Sequence, residues 1–383
     1  MYLPEHVASC ISALEKAGFS AYVVGGCVRD ALLGLTPCDY DMCTAAMPEQ
    51  TEAVFADRQL VRSGKMHGTV GVVTEGKVVQ ITTYRTGGDC RDNRHPERAA
   101  FVPEVEKDLA RRDFTVNAMA WSPVRGFADP FDGRKDLENK VLRAVGDPPA
   151  HFREDSLRIL RGVGFAVKYG LTVEPETENA MISLAPLMEN LSGERVFEEL
   201  CKLLPLVTAE DLRRFAPILA AVIPELRPMI GFDQHSPHHA YDLYTHMAHV
   251  VEGVPGDLTL RWAALLHDVG KIPTFTRDET GRGHFYGHAA EGARMAEEIL
   301  RRMKAPAALR EQVAALIGKH MTKLEPEKKA LRRCLGRLGW EMTEALLRLQ
   351  EADMNSKGTG KKPDMQQFAR LRELLEEIRR ENA

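Results

Sequence analysis

Two hydrophobic periodicities divide the chain. Up to about Gly146, short runs rich in β-branched and aromatic residues alternate with helical segments. The β-like runs are residues 21–24, 68–73 and 78–84. Glu75 and Gly76, between the last two runs, are typical of a hairpin turn. After Asp147-Pro148-Pro149 the pattern is almost entirely helical, which predicts a domain boundary there.

The helical part begins with an amphipathic run over about residues 151–168, which predicts one long helix. Clusters of Gly, Pro and polar residues at 231–239 and 355–363 interrupt the pattern further on. A chain of 383 residues also exceeds what one hydrophobic core usually organises. We therefore expect four regions: 1–146, 147–230, 231–355 and a short helical tail, 356–383. The predicted fold class is α+β, with a small mixed β-sheet domain followed by all-helical regions.

The formal net charge of −4 is unlike the strongly basic balance of many nucleic-acid-binding proteins. Any contact with RNA must therefore be local. One candidate is Arg111-Arg112, and another is the stretch 319–337. The stretch contains Lys319, Lys323, Lys328, Lys329, Arg332, Arg333 and Arg337, against only Glu325 and Glu327. A solvated helix face explains such a stretch equally well, so both interpretations stay open.

Seven cysteines, an odd number without a CxxC pair, argue against a disulfide framework and against a thiolate zinc site. We expect reduced thiols. No apolar stretch reaches the length that a bilayer requires, and the first ten residues lack the features of a signal peptide. We therefore expect a cytoplasmic protein without a membrane partner.

The first group of chemically informative residues follows the first β-like run. Gly25-Gly26 allows backbone amides to approach a phosphate, a helix start after them favours an anion, and Arg29 adds positive charge. Asp39 and Asp41 stand two apart on a predicted strand, so both carboxylates face one side and can share hard divalent cations. This pattern predicts a two-metal site in which one ion activates a hydroxyl and the other holds a triphosphate.

Residues 25–41 read GGCVRDALLGLTPCDYD and match GGxVRDxLLGxxxxDxD. They resemble the bacterial class II CCA-adding and poly(A)-adding enzymes, which are polymerase-β-like nucleotidyltransferases. Similar family elements follow at RRDFTVNA (111–118), DPFDG (129–133), EDSLRILR (154–161) and GERV (193–196). The resemblance implies template-independent transfer from CTP and ATP to the 3′ end of tRNA, with Mg²⁺ at Asp39 and Asp41. The nucleotide-binding residues that it implies are Gly25, Gly26, Arg29, Arg112, Asp113, Asn117, Asp155, Arg158 and Arg161.

The choice of nucleotide is expected at Asp155 and Arg158. Three residues apart on the predicted helix, they would present an acceptor beside a donor fork. Cytosine and adenine both offer an amino donor next to an unprotonated ring nitrogen, whereas uracil and guanine reverse that order. The family assigns this role to the matching residues. An ordinary surface ion pair is the alternative interpretation.

Three features bear on how closely the family pattern holds. Gln80 stands where many relatives carry a third acid, so the metal that activates the hydroxyl would be held less tightly. Gly164 stands where relatives often carry Arg. The polar segment between Arg85 and Phe101 resembles a flexible segment that CC-only relatives lack, which favours full CCA or terminal A addition. A surface hairpin extension is the alternative there, and poly(A) polymerase stays the alternative activity.

The second group of residues has the spacing of metal ligands. It comprises His246, His267, Asp268, His288, His320 and Asp353. The apolar run 260–266 predicts a helix that ends at His267 and Asp268. Imidazole and carboxylate ligands suit Mn, Fe, Ni or Zn better than Ca, and Asp268 could bridge two such ions. Isolated histidines are more often ordinary core or surface residues, and that is the interpretation given to His235, His238, His239, His249 and His284.

The run ALLHDVGK, around His267-Asp268, resembles the HD phosphohydrolase superfamily. The resemblance implies that His246 and Asp353 are outer ligands, that His288 and His320 belong to a two-metal centre, and that Lys271 stabilises phosphate charge. Related fusions act on 2′,3′-cyclic phosphates or 2′-nucleotides. A further alternative is that this hydrolase is the main activity and that the front domain only binds RNA. The oligomeric state is left open.

Overall fold

The computed structural model describes residues 1–86, 100–236, 240–358 and 365–382. The chain divides into two compact units, Met1–Asn190 and Leu191–Ala383. The boundaries expected at 146, 230 and 355 stay predictions. No helix in the described ranges is long and apolar enough to cross a bilayer.

Eleven short strands occur among the described residues. They are β1 (Ala21–Val24), β2 (Met42–Thr44), β3 (Leu60–Val61), β4 (Thr69–Thr74), β5 (Lys77–Thr83), β6 (Ala120–Ser122), β7 (Gly126–Ala128), β8 (Val141–Leu142), β9 (Thr172–Val173), β10 (Thr276–Arg277) and β11 (Gly283–His284). The first seven form one mixed sheet in the order β3-β4-β5-β2-β1-β6-β7. Only β2 and β5 run parallel in that sheet.

The hairpin of β4 and β5 forms as the sequence predicts. Glu75 and Gly76 both have positive φ, 51° and 72°, which is the conformation of a two-residue hairpin turn. The register pairs Thr74 with Lys77 and continues to Thr69 opposite Thr82. Along β5, buried positions alternate with exposed or partly exposed ones, so one face of the strand packs on the core.

The unit Met1–Asn190 carries eight α-helices in its described part. They are α1 (Glu5–Lys16), α2 (Gly26–Leu32), α3 (Pro48–Val54), α4 (Val105–Ala110), α5 (Gly133–Glu138), α6 (Pro148–Glu154), α7 (Leu157–Tyr169) and α8 (Pro175–Leu184). Asp147 caps α6 by accepting a hydrogen bond from the Ala150 amide. An Asp followed by two prolines is typical of a helix start. Buried Tyr84, Leu109 and Ala120 lie in the core cluster on the sheet.

The single helix predicted over 151–168 is wrong. The chain forms α6 and α7 instead, and Asp155 between them is extended, with φ −148° and ψ 99°. Its Oδ1 accepts a hydrogen bond from the Leu157 amide at 3.1 Å. Short polar side chains compete with helical hydrogen bonds in this way, so a helix ends and a new one begins without a break in the apolar pattern.

The unit Leu191–Ala383 is almost entirely helical in its described part. Its helices are α9 (Gly193–Leu203), α10 (Ala209–Arg214), α11 (Ala216–Val222), α12 (Leu243–Gly253), α13 (Leu258–Leu266), α14 (Lys271–Thr274), α15 (His288–Arg302), α16 (Ala307–Lys319), α17 (Lys328–Leu338), α18 (Trp340–Asn355) and α19 (Gln366–Glu381). The predicted α+β class is confirmed. Two further small sheets each consist of two strands with two paired positions, β8 with β9 and β10 with β11.

Candidate active sites

The glycine turn follows β1 directly. Gly25 has φ 77° and ψ −127°, and its amide donates a hydrogen bond to the Met119 carbonyl at 3.0 Å. A Cβ at this position would lie 2.8 Å from Nη1 of Arg112. The turn therefore needs glycine for its backbone and also leaves room for a guanidinium, while Gly26 begins α2.

Asp39 and Asp41 lie beside this turn, but neither lies on a strand. The placement on a strand was wrong, because β2 begins only at Met42 and the Val24 amide reaches the Asp41 carbonyl at 3.0 Å. Both acidic side chains are exposed. Partial desolvation and the Asp39 charge raise the pKa of Asp41, and Arg112 opposes this. Two carboxylates close enough to repel are a suitable oxygen ligand set for a divalent cation.

Gln80 lies on β5, one residue before the position that pairs with the start of β2. The parallel pairing sets Met42 against Ile81, so Asp41 and Gln80 each come one residue before the first paired position. Gln80 is exposed on its strand. The family resemblance leads us to expect a third carboxylate at this position, and the effect of the uncharged Gln80 on the metal site stays a prediction.

Asp113 and Asn117 form a buried network beside the turn. Asp113 Oδ1 accepts hydrogen bonds from the Phe114 amide and from Nδ2 of Asn117, at 2.9 and 3.0 Å. Its Oδ2 accepts two from Arg161, at 2.9 and 2.7 Å. Burial raises the pKa of Asp113, but the Arg161 charge and these hydrogen bonds outweigh it, so the pKa lies below its ordinary value.

Arg29 is buried and does not face solvent as a free phosphate ligand would. It donates to Asp30 Oδ1 at 2.9 Å from Nε and 2.7 Å from Nη2, and to Asn117 Oδ1. Its guanidinium carbon lies 4.2 Å from the ring centre of Tyr169 and 5.3 Å from the ring centre of Phe165. In this structure Arg29 links α2 to α7, and its nucleotide-binding role stays a prediction.

Arg158 also points away from the arrangement that the sequence predicts with Asp155. Its guanidinium donates to the carbonyls of His151 and Arg111, at 2.8 and 2.9 Å, and to Glu154 at 2.9 Å. The donor fork and the Asp155 carboxylate therefore each have partners of their own. The recognition of a base by Asp155 and Arg158 together stays a prediction. The segment 87–99, on which the prediction of full CCA addition rests, lies outside the described residues.

Two residues of this site escaped the sequence analysis. Asp108, fully buried, binds Arg111 at 2.6 Å and Arg112 at 3.3 Å. The Nε2 of His151 lies 2.8 Å from the Arg112 carbonyl. Asp108 could have been found from the sequence, because a carboxylate on a short helix stands three and four residues before two arginines at the helix end. His151 could not, because its partner is 39 residues away.

The second candidate site lies wholly in Leu191–Ala383. Its side chains come from α12, the end of α13, the start of α15, the end of α16, and α18: they are His246, His267, Asp268, His288, His320 and Asp353. The helix predicted over 260–266 is confirmed as part of α13. The structure therefore brings together every metal ligand that the sequence predicts here.

Asp268 lies at the centre of the site. Its Oδ2 is 3.2 Å from Nε2 of His267 and 3.6 Å from Nε2 of His246, which lies 3.0 Å from Asp353. The ligand atoms of His246, His267 and Asp268 are close enough to hold one ion. Lys271 lies 2.7 Å from the same oxygen and donates to Gln234, a buried residue that the sequence analysis missed, at 2.9 Å.

A second ligand set shares Asp268. The Nε2 atoms of His288 and His320 lie 3.2 Å apart, and each is 3.9 Å from Asp268 Oδ1. The ligand atoms of these three residues are also close enough to hold one ion. Asp268 thus has one oxygen toward each set, which is the arrangement of a bridging carboxylate.

All four histidines have the same orientation. Their Nδ1 atoms lie 2.6–3.0 Å from backbone carbonyls, those of Ser356, Ala264, Phe285 and Ile317. A carbonyl only accepts, so Nδ1 carries the proton and the Nε2 lone pair of the neutral ring points into the site. Lone pairs that converge with a carboxylate repel one another unless a cation lies between them. The residues therefore fit a divalent transition metal.

The pKa shifts of Asp268 and His320 agree with this interpretation, whereas the pKa shift of His267 favours its protonated form. Burial lowers the pKa of His267, but the Asp268 charge more than compensates and raises it overall. Burial and the His267 charge lower the pKa of His320 to about 4. Burial raises the pKa of Asp268, yet His267 and Lys271 hold it well below its ordinary value. Asp268 therefore offers a permanent negative charge and His320 a neutral nitrogen donor, and a metal ion would have to displace the proton that the Asp268 charge stabilises on His267.

Comparison with known families matches three parts of the chain. Residues 21–143 match the Poly A polymerase head domain, residues 170–227 a probable RNA and SrmB-binding site of polymerase A, and residues 239–355 the HD domain. The resemblances inferred from the two motif groups are confirmed by these matches.

Among curated proteins, the chain is similar to CCA-adding enzymes. That of Geobacillus stearothermophilus is 41% identical over 226 residues, which is 57% of this chain and 55% of the relative. That of Streptococcus suis (strain 05ZYH33) is 46% identical over 205 residues, 53% of this chain and 50% of the relative. The matched part thus spans about half the length of these curated relatives.

Solved structures show the same likeness. A CCA-adding enzyme of Bacillus stearothermophilus in complex with CTP has a TM-score of 0.68 at 26% identity, covering 99% of this chain and 84% of the other. A Thermotoga maritima CCA-adding enzyme complexed with tRNA has a TM-score of 0.64 at 19% identity, covering 98% and 83%. The second likeness concerns the fold alone.

Proposed function

We propose that this chain is a tRNA nucleotidyltransferase that adds C, C and A to tRNA 3′ ends from CTP and ATP without a nucleic-acid template. The observation that carries the proposal is the position of Asp39 and Asp41, two mutually repelling carboxylates beside a glycine turn that packs against Arg112. The similarity to CCA-adding enzymes supports it.

Each group at the turn has a task in this reaction. The turn at Gly25 brings backbone close to the triphosphate, and the Arg112 guanidinium offsets part of its negative charge. Asp39 and Asp41 would hold Mg²⁺, which supplies activation of the 3′-hydroxyl and charge neutralisation on the phosphates. Asp113 and Asp108 keep the arginines in place through their ion pairs.

Selection of CTP and ATP is proposed for Asp155 and Arg158. Arg158 must then exchange at least one of its carbonyl partners for the base, because its Nη1 and Nη2 donate to His151, Glu154 and Arg111 in the structure described here. A base whose pattern of donors and acceptors is wrong cannot compensate the lost hydrogen bonds, which is a strong basis for rejection.

The test offers each of the four triphosphates separately to wild type, Asp155→Ala and Arg158→Ala, with a tRNA that ends before CCA. We expect wild type to add two C and one A, and the variants to lose selectivity against UTP and GTP. Repeated addition of A without use of CTP would identify a poly(A) polymerase. Asp41→Asn should abolish incorporation, and full activity in that variant would overturn the proposal.

We further propose that the centre at Asp268 hydrolyses phosphate esters at RNA ends, including 2′,3′-cyclic phosphates. The observation that carries this function is the convergence of four Nε2 atoms on one shared carboxylate. A divalent Mn, Fe, Ni or Zn ion would supply Lewis acidity toward the ester and its attacking water. Lys271, whose Nζ lies 2.7 Å from Asp268 Oδ2, would balance phosphate charge.

The hydrolase is tested with metal-loaded protein and RNA that ends in a 2′,3′-cyclic phosphate. We expect opening of the cyclic ester by wild type and a loss of this activity in His267→Ala, together with a reduced metal content by elemental analysis. Normal metal content without any hydrolysis of RNA ends or of simple phosphodiesters would reject the proposed activity while leaving the metal site intact.

A further inference from the structure

A cavity of about 310 Å³ lies between α17 and the segment that leaves His320. Three cationic side chains line it: Lys323, Arg333 and Arg337. The lining includes one carboxylate, Glu325, so the cavity wall carries an excess of positive charge. Such an arrangement of cations around a concave surface favours a polyanion.

The two sides of α17 differ in their charge balance. Lys328 and Arg332 form ion pairs with Glu381 of α19, and Lys328 also lies 3.3 Å from Glu377. Arg333 and Arg337, one turn apart on the cavity side, are exposed and have no ion pair with any residue in the described ranges. The helix thus has one neutralised side and one side with available positive charge.

The opposite wall of the cavity is joined to the metal-ligand set. Thr322, which lines the cavity, follows the ligand His320 by two residues, so their Cα atoms are at most about 7 Å apart. Gln350 of α18 fixes this short connection by donating to the carbonyls of both, at 2.7 Å each. The cavity wall therefore begins two residues from a member of the metal-ligand set.

We propose that this cavity binds the sugar-phosphate backbone of the RNA whose end is processed at the Asp268 centre. The proposal deepens the proposed hydrolase function and rests on it for the role of the bound RNA. It assigns Lys323, Arg333 and Arg337 to backbone contacts that are independent of sequence. It also identifies the cavity-facing side of the basic stretch, and not its whole surface, as the RNA contact.

The test compares two matched double variants on the same helix. Arg333→Gln/Arg337→Gln removes two cations from the cavity, and Lys328→Gln/Arg332→Gln removes two with the same spacing from the neutralised side. Binding of a fluorescent acceptor-stem RNA to the full chain is measured by anisotropy over a series of KCl concentrations. For the cavity variant we expect the slope of log affinity against log salt to fall by about 1.5, since each phosphate contact contributes about 0.7–0.9. The control should keep the wild-type slope, and equal slopes for the two variants would overturn the proposal.

A second measurement locates the ligand and identifies its source. Cys334 lines the cavity and is partly exposed, so its alkylation rate can be followed by mass spectrometry. We expect RNA to slow this alkylation and inorganic phosphate at the same phosphate concentration to leave it unchanged. Equal protection by both would assign the cavity to a small anion and overturn the RNA proposal.

Hydrolysis assays separate this proposal from the hydrolase function. For RNA with a terminal cyclic phosphate, the cavity variant should raise KM and leave kcat unchanged, whereas bis(p-nitrophenyl) phosphate should be hydrolysed as by wild type. If wild type hydrolyses neither substrate, the hydrolase function fails, and the salt slopes still decide whether the cavity binds RNA.

Discussion

Asp113 has a structural role in addition to the nucleotide-binding role that its motif predicts. The sequence assigns it to nucleotide binding, whereas the structure surrounds it with Arg161, Asn117 and the Phe114 amide. Both of its oxygens accept hydrogen bonds, so the carboxylate organises the segment that also carries Arg112. Its contribution to stability should therefore depend on its charge.

We predict that Asp113→Asn lowers the free energy of unfolding at pH 7 by about 1–3 kcal/mol, because the buried carboxylate loses its charged hydrogen bonds with the partly exposed Arg161. The pKa of Asp113 lies below its ordinary value of 3.8 in the folded protein. The stabilisation is therefore complete above about pH 4 and is lost as the pH falls through the folded pKa. Urea unfolding at several pH values should show the gap between variant and wild type closing in acid. Asp57→Asn, at an exposed position, is the control and should stay within about 0.5 kcal/mol of wild type.

A single substitution at Gln80 tests whether this position contributes to the metal site at Asp39 and Asp41. Gln80→Glu adds a carboxylate beside Asp41, so we expect half-maximal nucleotide incorporation at a severalfold lower Mg²⁺ concentration. Gln80→Met keeps a similar length without charge and should not gain this effect. A Mg²⁺ titration that is identical for Glu and Gln would mean that position 80 does not contribute to the metal site.

At the scale of elements, local patterns predicted the parts that depend on neighbours in sequence. The hairpin turn at Glu75-Gly76, β1 and the core of α13 form where the sequence places them. The break between α6 and α7 was missed because the apolar period continues across it. The Asp155 carboxylate accepts a hydrogen bond from the Leu157 amide at that break, and the energy of this bond does not appear in the hydrophobic pattern.

The turn between β1 and α2 should require glycine at position 25. Gly25→Ala forces a side chain onto φ 77° and pushes it against Arg112, so we expect a loss of about 1–3 kcal/mol in unfolding free energy and a higher KM for the nucleotide. Gly26→Ala is the matched control for the unfolding free energy, because its Cβ would meet only Arg29, at 3.5 Å. Denaturation of both variants and steady-state kinetics of Gly25→Ala check the prediction, and equal unfolding free energies of the two variants would show that the turn has no such constraint.

At the scale of the whole molecule, the two candidate sites lie in different compact units. Asp39 and Asp41 belong to Met1–Asn190, and the Asp268 centre belongs to Leu191–Ala383. Each unit has its own buried residues and its own ligand set, with oxygen donors in one and mainly nitrogen donors in the other. The proposed chemistries should therefore respond to different metals and to different substitutions.

We predict that Asp41→Asn lowers nucleotide incorporation by about 100-fold or more and leaves phosphodiester hydrolysis within about twofold of wild type. His267→Ala should do the reverse, because it removes a ligand of the other centre. Both activities are measured on the same preparations, with circular dichroism as the control for folding. A loss of both activities in either variant would contradict the independence of the sites.

The sequence by itself determined the chemistry of this protein: which ligand types are present, which family elements they form, and that a sheet domain precedes a helical part. These features follow from residue type and local spacing, which a short stretch of chain already contains. Tertiary structure alone decided which groups meet. In the folded chain Arg158 donates to backbone carbonyls and Asp113 pairs with Arg161. Four histidines from different parts of the helical unit lie around Asp268. These contacts join residues far apart in the chain, and the packing of whole elements sets their distances because no local preference does.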